Sequence, residues 1–321
     1  MMNYLRDLQK QLNELPRKGR TLIMKSIFPC LNLKGVYFQH NLSLELVNIE
    51  STVHFLSDFK FDYVSFLELN SNPGVLNEFL KNKRKGGVKG IIIDNKEAVS
   101  EENKQNNSNF YLNYINENDF DSFKNDLLTM NQHQFEKNKI NLIFCDMPTL
   151  LEGDKEYQKG VLLRQIIMSL TLVEGGIYVL KLANTLSKFT HDILYLNYLL
   201  FDKVYLIQPP TVNPILAEKY LICQNLKYNL KQDETNKLIE YYKSMISQET
   251  KGYLPSLFNN ELKFDLSFIK FLKNSNTSLL ANQIEAHHKI IKCLQKGHPV
   301  APLIDFNTLK TYAGYEFEIE N

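Results

Sequence analysis

Residues 66–80 read FLELNSNPGVLNEFL, which combines an apolar strand, a tight turn and an amphipathic helix in direct succession. Glu68 is the acidic residue at the end of the strand, and Pro73 and Gly74 form the turn. In a doubly wound sheet, the first strand-to-helix turn lies at the carboxyl edge, where backbone N–H groups of a helix N-terminus meet a ligand. The stretch therefore indicates a cofactor position, and ordinary loop chemistry is the alternative explanation.

Other apolar runs extend this arrangement along the chain. Short runs bounded by Gly, Pro, Asn or charged residues predict strands, and the segments between them have helical spacing. The predicted strands are 63–69, 90–93, 141–145, 176–182, 203–207 and 219–223, and the predicted helices between them include 75–81, 159–172 and 194–201. This alternation predicts an α/β, Rossmann-like fold with a mostly parallel sheet of about seven strands. The last two strands should form an antiparallel hairpin, because a parallel return needs a longer crossover.

Composition along the chain predicts three regions. Residues 1–35 should form an N-terminal helical arm, residues 36–227 the sheet domain, and residues 228–321 a helical C-terminal extension packed on that domain. Within the extension, amphipathic stretches at 231–247, 262–273 and 278–295 predict separate helices. Residues 94–139 are rich in Asn, Lys and Glu, which predicts an exposed and partly mobile insertion.

Charge and cysteine content limit the possible functions. The formal net charge is +1, so any contact with nucleic acid must come from a local basic patch. The cysteines Cys30, Cys145, Cys223 and Cys293 lack metal-ligand spacing and are predicted to be reduced and mostly structural. The charged N-terminus contains no apolar stretch long enough for a signal peptide or a membrane span, so we expect a protein of the nucleus or cytoplasm with no membrane partner.

Three further motifs carry polar residues at the ends of predicted strands. Asp146 follows the strand in LIFCDMP, where a carboxylate can bind a cofactor amine, act on a substrate proton or cap a helix. Lys181 lies in the apolar run EGGIYVLKL, where an ammonium must be paired, functional or exposed at the strand end. Glu218 opens the strand in LAEKYLIC, and a solvated carboxylate is the alternative there.

Taken together, these motifs resemble in order and spacing the FtsJ-like family of ribose 2′-O-methyltransferases. The pattern is closest to the eukaryotic and viral mRNA cap-specific branch, over roughly residues 36–315 and most specifically over 140–227. The resemblance implies a Rossmann-like methyltransferase fold that uses S-adenosyl-L-methionine (SAM). It also implies RNA binding, the 5′ end of capped mRNA as the substrate, and a protein partner in a capping or transcription complex.

The resemblance also implies roles for individual residues. The family's Lys, Asp, Lys, Glu tetrad surrounds the ribose 2′-hydroxyl, and its last three members match Asp146, Lys181 and Glu218. Lys181 would deprotonate or orient the hydroxyl, while the two acids tune and position that amine. The best match to the helix with the first Lys is residues 40–50, which places Glu45 at that position. The implied cofactor-binding residues are Glu68, Asn70, Asn72, Pro73, Gly74, Asp94 and Asp146.

Departures from the family pattern leave two hypotheses open. Glu45 reverses the charge of the first tetrad position, and Val75 replaces a glycine of the cofactor turn, where a β-branched side chain could crowd the ligand. In one hypothesis the chain is a diverged cap methyltransferase in which another base, such as Lys34 or Lys25, replaces the missing lysine. In the other it is a catalytically inactive subunit that binds RNA or a partner enzyme.

Candidate RNA contacts lie elsewhere in the chain. Residues 81–90 read KNKRKGGVKG and could bind phosphates, although a solvated helix end explains the cations more simply. Tyr37, Phe38 and His40 could stack on a base, with core packing as the favoured alternative. The basic group at residues 17–20 is similarly predicted to be a solvated turn.

Overall fold

The computed structural model describes residues 1–14, 33–35, 41–69, 75–83, 87–94, 110–113, 120–135, 140–147, 154–183, 185–247, 256–258, 263–296 and 317–319. Its helices are α1 (Met2–Glu14), α2 (Asn41–Val53), α3 (Val75–Lys83), α4 (Phe120–Gln134), α5 (Asp154–Thr171), α6 (Lys188–Leu200), α7 (Gln232–Ile246) and α8 (Leu266–Lys296). Its strands are β1 (Leu33–Gly35), β2 (Val64–Leu69), β3 (Val88–Asp94), β4 (Phe110–Asn113), β5 (Ile140–Cys145), β6 (Leu172–Leu182), β7 (Phe201–Ile207), β8 (Lys219–Leu226) and β9 (Phe317–Ile319).

Seven of these strands form one sheet in the order β4-β3-β2-β5-β6-β8-β7. The pairs from β4 to β6 are parallel. The backbone N–H of Lys227, just after β8, donates to the carbonyl oxygen of Leu200, just before β7, so these two strands run antiparallel. The predicted α/β Rossmann-like sheet and its terminal hairpin are therefore confirmed.

The central strands are apolar runs because both faces of the sheet are covered. Every position of β2 and β5 is buried, which is typical of strands in the middle of a parallel sheet. Gly90 in β3 allows the ring of Phe66 on β2 to pack against the backbone, since an added Cβ would lie 2.2 Å from that ring. This close approach explains a glycine inside a strand.

The chain divides into two compact units. The first unit contains Met1–Ser57, Ile207–Lys219 and Asp265–Asn321, and the second contains Asp58–Leu206 and Tyr220–Phe264. After residue 227, α7 packs against α5, and α8 packs against α1. The helical C-terminal extension stays a prediction. In the first unit, Leu5 and Leu8 of α1 are buried, and the Tyr4 hydroxyl lies 2.7 Å from Nε2 of His288 in α8.

Two predictions of local structure were wrong. The predicted insertion at 94–139 contains the strand β4 and the helix α4. The helices predicted at 262–273 and 278–295 are one helix of 31 residues, α8. The polar residues 274–278 include neither Gly nor Pro, so they weaken the helical pattern without ending the helix. In the described parts of the chain, no helix is long and apolar enough to cross a membrane.

Candidate active site

The register of the parallel strands aligns their carboxyl ends in one row. The paired positions across this row are Ile93, Leu69, Cys145 and Leu180. Asp94, Asp146 and Lys181 each follow one of these residues, so the three residues lie at the same edge of the sheet. Ligands of open α/β sheets bind outside this edge.

Asp146 and Lys181 form a buried ion pair at the edge. The Lys181 ammonium lies 3.7 Å from Oδ1 of Asp146, and the two side chains are 10% and 8% exposed. The same Oδ1 accepts a hydrogen bond of 2.9 Å from the N–H of Met147, and the ammonium lies 5.6 Å from the centre of the Tyr220 ring. Pairing thus accounts for an ammonium that would be costly to bury alone.

Arg164 holds Asp146 through the main chain. Its Nε and Nη2 donate to the carbonyl oxygen of Asp146 at 3.0 and 2.7 Å, and its Nη1 donates to the carbonyl oxygen of Gly160 at 3.0 Å. This role of Arg164 was not predicted from the sequence. A buried arginine on an apolar helix is the signal that could have revealed it, because such a charge needs a partner.

The predicted cofactor residue Glu68 bonds to the helix that follows the turn. Its side chain is fully buried, and Oε1 accepts a hydrogen bond of 3.2 Å from the N–H of Leu76 in the first turn of α3. The carboxylate therefore joins the end of β2 to the beginning of α3. Asp94 is the last residue of β3, and only its backbone is described. The predicted residues Asn70, Asn72, Pro73 and Gly74 lie outside the described residues.

The two remaining predicted catalytic residues belong to the first unit. Glu45 in α2 is 8% exposed, and Glu218, just before β8, is 5% exposed. The alternative of a solvated carboxylate at Glu218 is therefore wrong. Asp146 and Lys181 belong to the second unit. The structure thus brings these two residues together, and the convergence of Glu45 and Glu218 on them stays a prediction.

The other candidate residues are only partly described. Lys81 and Lys83 are exposed in the last turn of α3, which agrees with the simpler explanation of a helix end. Residues 17–20, Lys25, Tyr37, Phe38 and His40 lie outside the described residues, and for Lys34 only the backbone is described.

The cysteines behave as structural residues where they are described. Cys145, Cys223 and Cys293 are free and buried, while Cys30 lies outside the described residues. Burial raises the pKa of Cys145 to about 12, so its thiol stays protonated at neutral pH. Among the described residues, no group of His, Cys, Asp and Glu could hold a metal ion.

Comparison with curated proteins finds cap-specific mRNA methyltransferases. The cap-specific mRNA (nucleoside-2′-O-)-methyltransferase 1 of Drosophila melanogaster is 23% identical over 292 residues, and that of Dictyostelium discoideum is 24% identical over 302 residues. These matches cover 82% and 80% of this chain and 37% and 38% of the relatives. The chain therefore spans less than two fifths of the length of these relatives.

Comparison with solved structures finds matches of lower sequence identity. One, described as a ribosomal RNA methyltransferase from Plasmodium falciparum, is 18% identical with a TM-score of 0.40 and covers 59% of this chain and 98% of its own. Human methyltransferase-like protein 13, solved in complex with SAH, is 13% identical with a TM-score of 0.35 and covers 70% of this chain and 96% of its own.

A family model described as FtsJ-like methyltransferase matches residues 47–226, more than half of the chain. The match begins within α2 and ends with the last residue of β8. Because the matched residues include every strand of the seven-stranded sheet, the chain belongs to the FtsJ-like methyltransferase family.

Proposed function

We propose that this chain is a SAM-dependent RNA ribose 2′-O-methyltransferase that acts on the 5′ end of capped mRNA, in the nucleus or cytoplasm. The observation that carries the proposal is the buried pair of Asp146 and Lys181 at the carboxyl edge of a parallel sheet. The family match supports methyl transfer, and the names of the curated relatives support capped mRNA as the substrate class.

The acidic residues at the sheet edge suit SAM as a ligand. Carboxylates at the ends of β3 and β5, from Asp94 and Asp146, are suitable acceptors for the hydroxyl and amine groups of such a molecule. Glu68 supports this side of the site indirectly, because its bond to Leu76 fixes α3 to the end of β2. When bound, SAM supplies an electrophilic methyl group.

Lys181 would act on the proton of the ribose hydroxyl. As an ammonium paired with Asp146, it would donate a hydrogen bond that orients the oxygen. As a neutral amine, it would accept the proton that the hydroxyl gives up on methylation. Asp146 stabilises the ammonium that results, and Arg164 keeps the Asp146 backbone in place. We propose that Glu218 completes the site, supported by its position two residues before Tyr220, whose ring contacts Lys181.

The acidic residue Glu45 at the first tetrad position also favours the second candidate function. In that function the chain is a catalytically inactive subunit that binds RNA or a partner enzyme. If Glu45 reaches the site as the family resemblance implies, three carboxylates surround one ammonium. Lys181 would then be held as a cation, which is a poor base at neutral pH. Turnover would require another positive group from the RNA, a protein partner or the N-terminal arm.

Transfer of a labelled methyl group from SAM to capped and uncapped RNA tests the proposal. We expect methylation at a 2′-oxygen of capped RNA, and losses of about 100-fold or more in Lys181→Met and Asp146→Asn, within the range of general acid–base contributions. Lys203→Met is the matched control, because that ammonium forms an exposed ion pair with Asp58. Calorimetry separately measures SAM binding. A chain that methylates neither RNA would contradict the proposed activity and favour the inactive subunit.

A further inference from the structure

Lys219 occupies an unusual position next to the predicted catalytic residue Glu218. It is the first residue of β8 and is 3% exposed. Its ammonium donates to both the carbonyl oxygen and the hydroxyl of Ser275, each at 2.6 Å. Ser275 lies inside the long helix α8, so this contact fixes the start of β8 to that helix.

The loop before Glu218 is bonded to the same helix at a second point. Gln283 in α8 donates from Nε2 to the carbonyl oxygen of Ile215 at 3.1 Å. Within the loop, Gln208 donates from Nε2 to the carbonyl oxygen of Leu216 at 3.2 Å. The segment 208–219 is therefore held against α8 by side chains on both sides of Glu218.

The helix that carries Glu45 contacts this loop as well. Nδ2 of Asn48, one turn after Glu45 in α2, lies 3.5 Å from the hydroxyl oxygen of Thr211. All of these contacts lie within the first compact unit. That unit therefore contains Glu45 and Glu218, two of the three predicted carboxylates, together with the contacts that hold their supporting segments.

Burying the Lys219 ammonium has an energetic cost. Burial lowers its pKa from 10.5 to about 8, which means that the folded protein penalises the charged form. An apolar side chain at this position would avoid that cost. Lys219 instead fixes the position of the backbone at the beginning of β8, because both of its hydrogen bonds go to one residue of α8.

We propose that Lys219 is a positioning residue for Glu218, and that it acts through its bonds to Ser275 in α8. Lys219 directly follows Glu218 in the chain. Fixing Lys219 against α8 therefore restricts the positions that the Glu218 side chain can take. The inference rests on the proposed function, since it assigns Glu218 to the reaction.

Kinetics and hydrogen exchange test this inference in Lys219→Met, with Lys203→Met as the matched control. We expect kcat for capped RNA to fall about 10- to 100-fold, as misplacement of a catalytic group predicts, with unchanged affinity for SAM. Amide hydrogen exchange in residues 209–219 should become faster in Lys219→Met alone. Should Lys219→Met fail to fold, Ser275→Ala replaces it; this variant keeps the carbonyl acceptor and should give a smaller loss of kcat.

The outcomes separate the inference from the function on which it rests. An active wild type with unchanged kcat, or unchanged exchange, in the variant that folds would overturn the positioning role alone. A fall in SAM affinity equal to the fall in kcat would also overturn it, because general loosening of the fold produces that result. If the wild type transfers no methyl group, the proposed function fails and this inference fails with it.

Discussion

Arg164 donates two hydrogen bonds to the carbonyl oxygen of Asp146, from Nε and Nη2, while the carboxylate of Asp146 faces the ammonium of Lys181. The acid of the candidate site is thus held at both its backbone and its side chain. Because Arg164 lies in α5, the helix after β5 sets the position of the residue at the end of that strand.

Replacing Arg164 by Met should destabilise the fold. The buried carbonyl oxygen of Asp146 would lose both donors, which costs about 1–3 kcal/mol. Urea denaturation measures this loss. Lys243→Met is the control, since its ion pair with Asp121 is exposed and worth at most about 1 kcal/mol. Equal losses in the free energy of unfolding for Arg164→Met and Lys243→Met would contradict the role of Arg164.

Asp146 and Lys181 should be strongly coupled in stability. Removing one partner leaves a buried charge, so Lys181→Met and Asp146→Asn should each cost on the order of 3 kcal/mol. The double variant should cost less than the sum of the single variants, because no unpaired charge remains. A double-mutant cycle measured by urea denaturation checks this coupling, and additive losses would show that the pair is not coupled.

Glu45→Lys distinguishes the two candidate functions. The substitution restores the charge that the family resemblance implies at this position, so methyl transfer should appear or increase if Glu45 disables the site. The assay is transfer from SAM to capped and uncapped RNA by the wild type and the variant. A fully active wild type whose turnover drops on this substitution would refute the inactive-subunit hypothesis.

Lys219 should make stability depend on alkaline pH. Its pKa is lowered from 10.5 to about 8 in the folded protein, so between these values the unfolded chain binds more protons than the folded chain. The free energy of unfolding of the wild type should therefore rise with pH across this window, relative to Lys219→Met. Denaturation of both proteins at about pH 7.5 and about pH 10 checks the sign. The prediction is contradicted if the unfolding free energy of the wild type, relative to that of Lys219→Met, stays constant or decreases as the pH rises.

Tyr178→Phe should preserve or increase stability. The hydroxyl of Tyr178 on β6 is fully buried and has no hydrogen-bond partner among the described residues. Burial raises its pKa well above the usual value, so the group is neutral. Removing a buried polar group that lacks a partner relieves about 1 kcal/mol or more of desolvation cost. Thermal unfolding checks the sign, and a lower midpoint would indicate that the hydroxyl is bonded.

Local sequence patterns predicted most of the sheet, and their failures have physical causes. β2 and β5 are mostly apolar at successive positions, and such runs predict strands buried on both faces. β4 is only four residues long, and its strand conformation depends on pairing with β3, which no local pattern encodes. Similarly, α8 continues through the polar residue Ser275. The carbonyl oxygen of Ser275 accepts a hydrogen bond from Lys219, which is distant in the chain, so no local pattern encodes this contact.

By itself the sequence determined the order of most strands and helices of the sheet and the residues at the strand ends, including Asp146 and Lys181. It could do so because hydrophobic periodicity and turn residues act over a few neighbouring positions. Only the tertiary structure decided that Lys181 faces Asp146, that Arg164 bonds to the Asp146 backbone and that Lys219 bonds to α8. Those contacts join residues far apart in the chain, and their distances depend on strand register and helix packing, which local preferences do not specify.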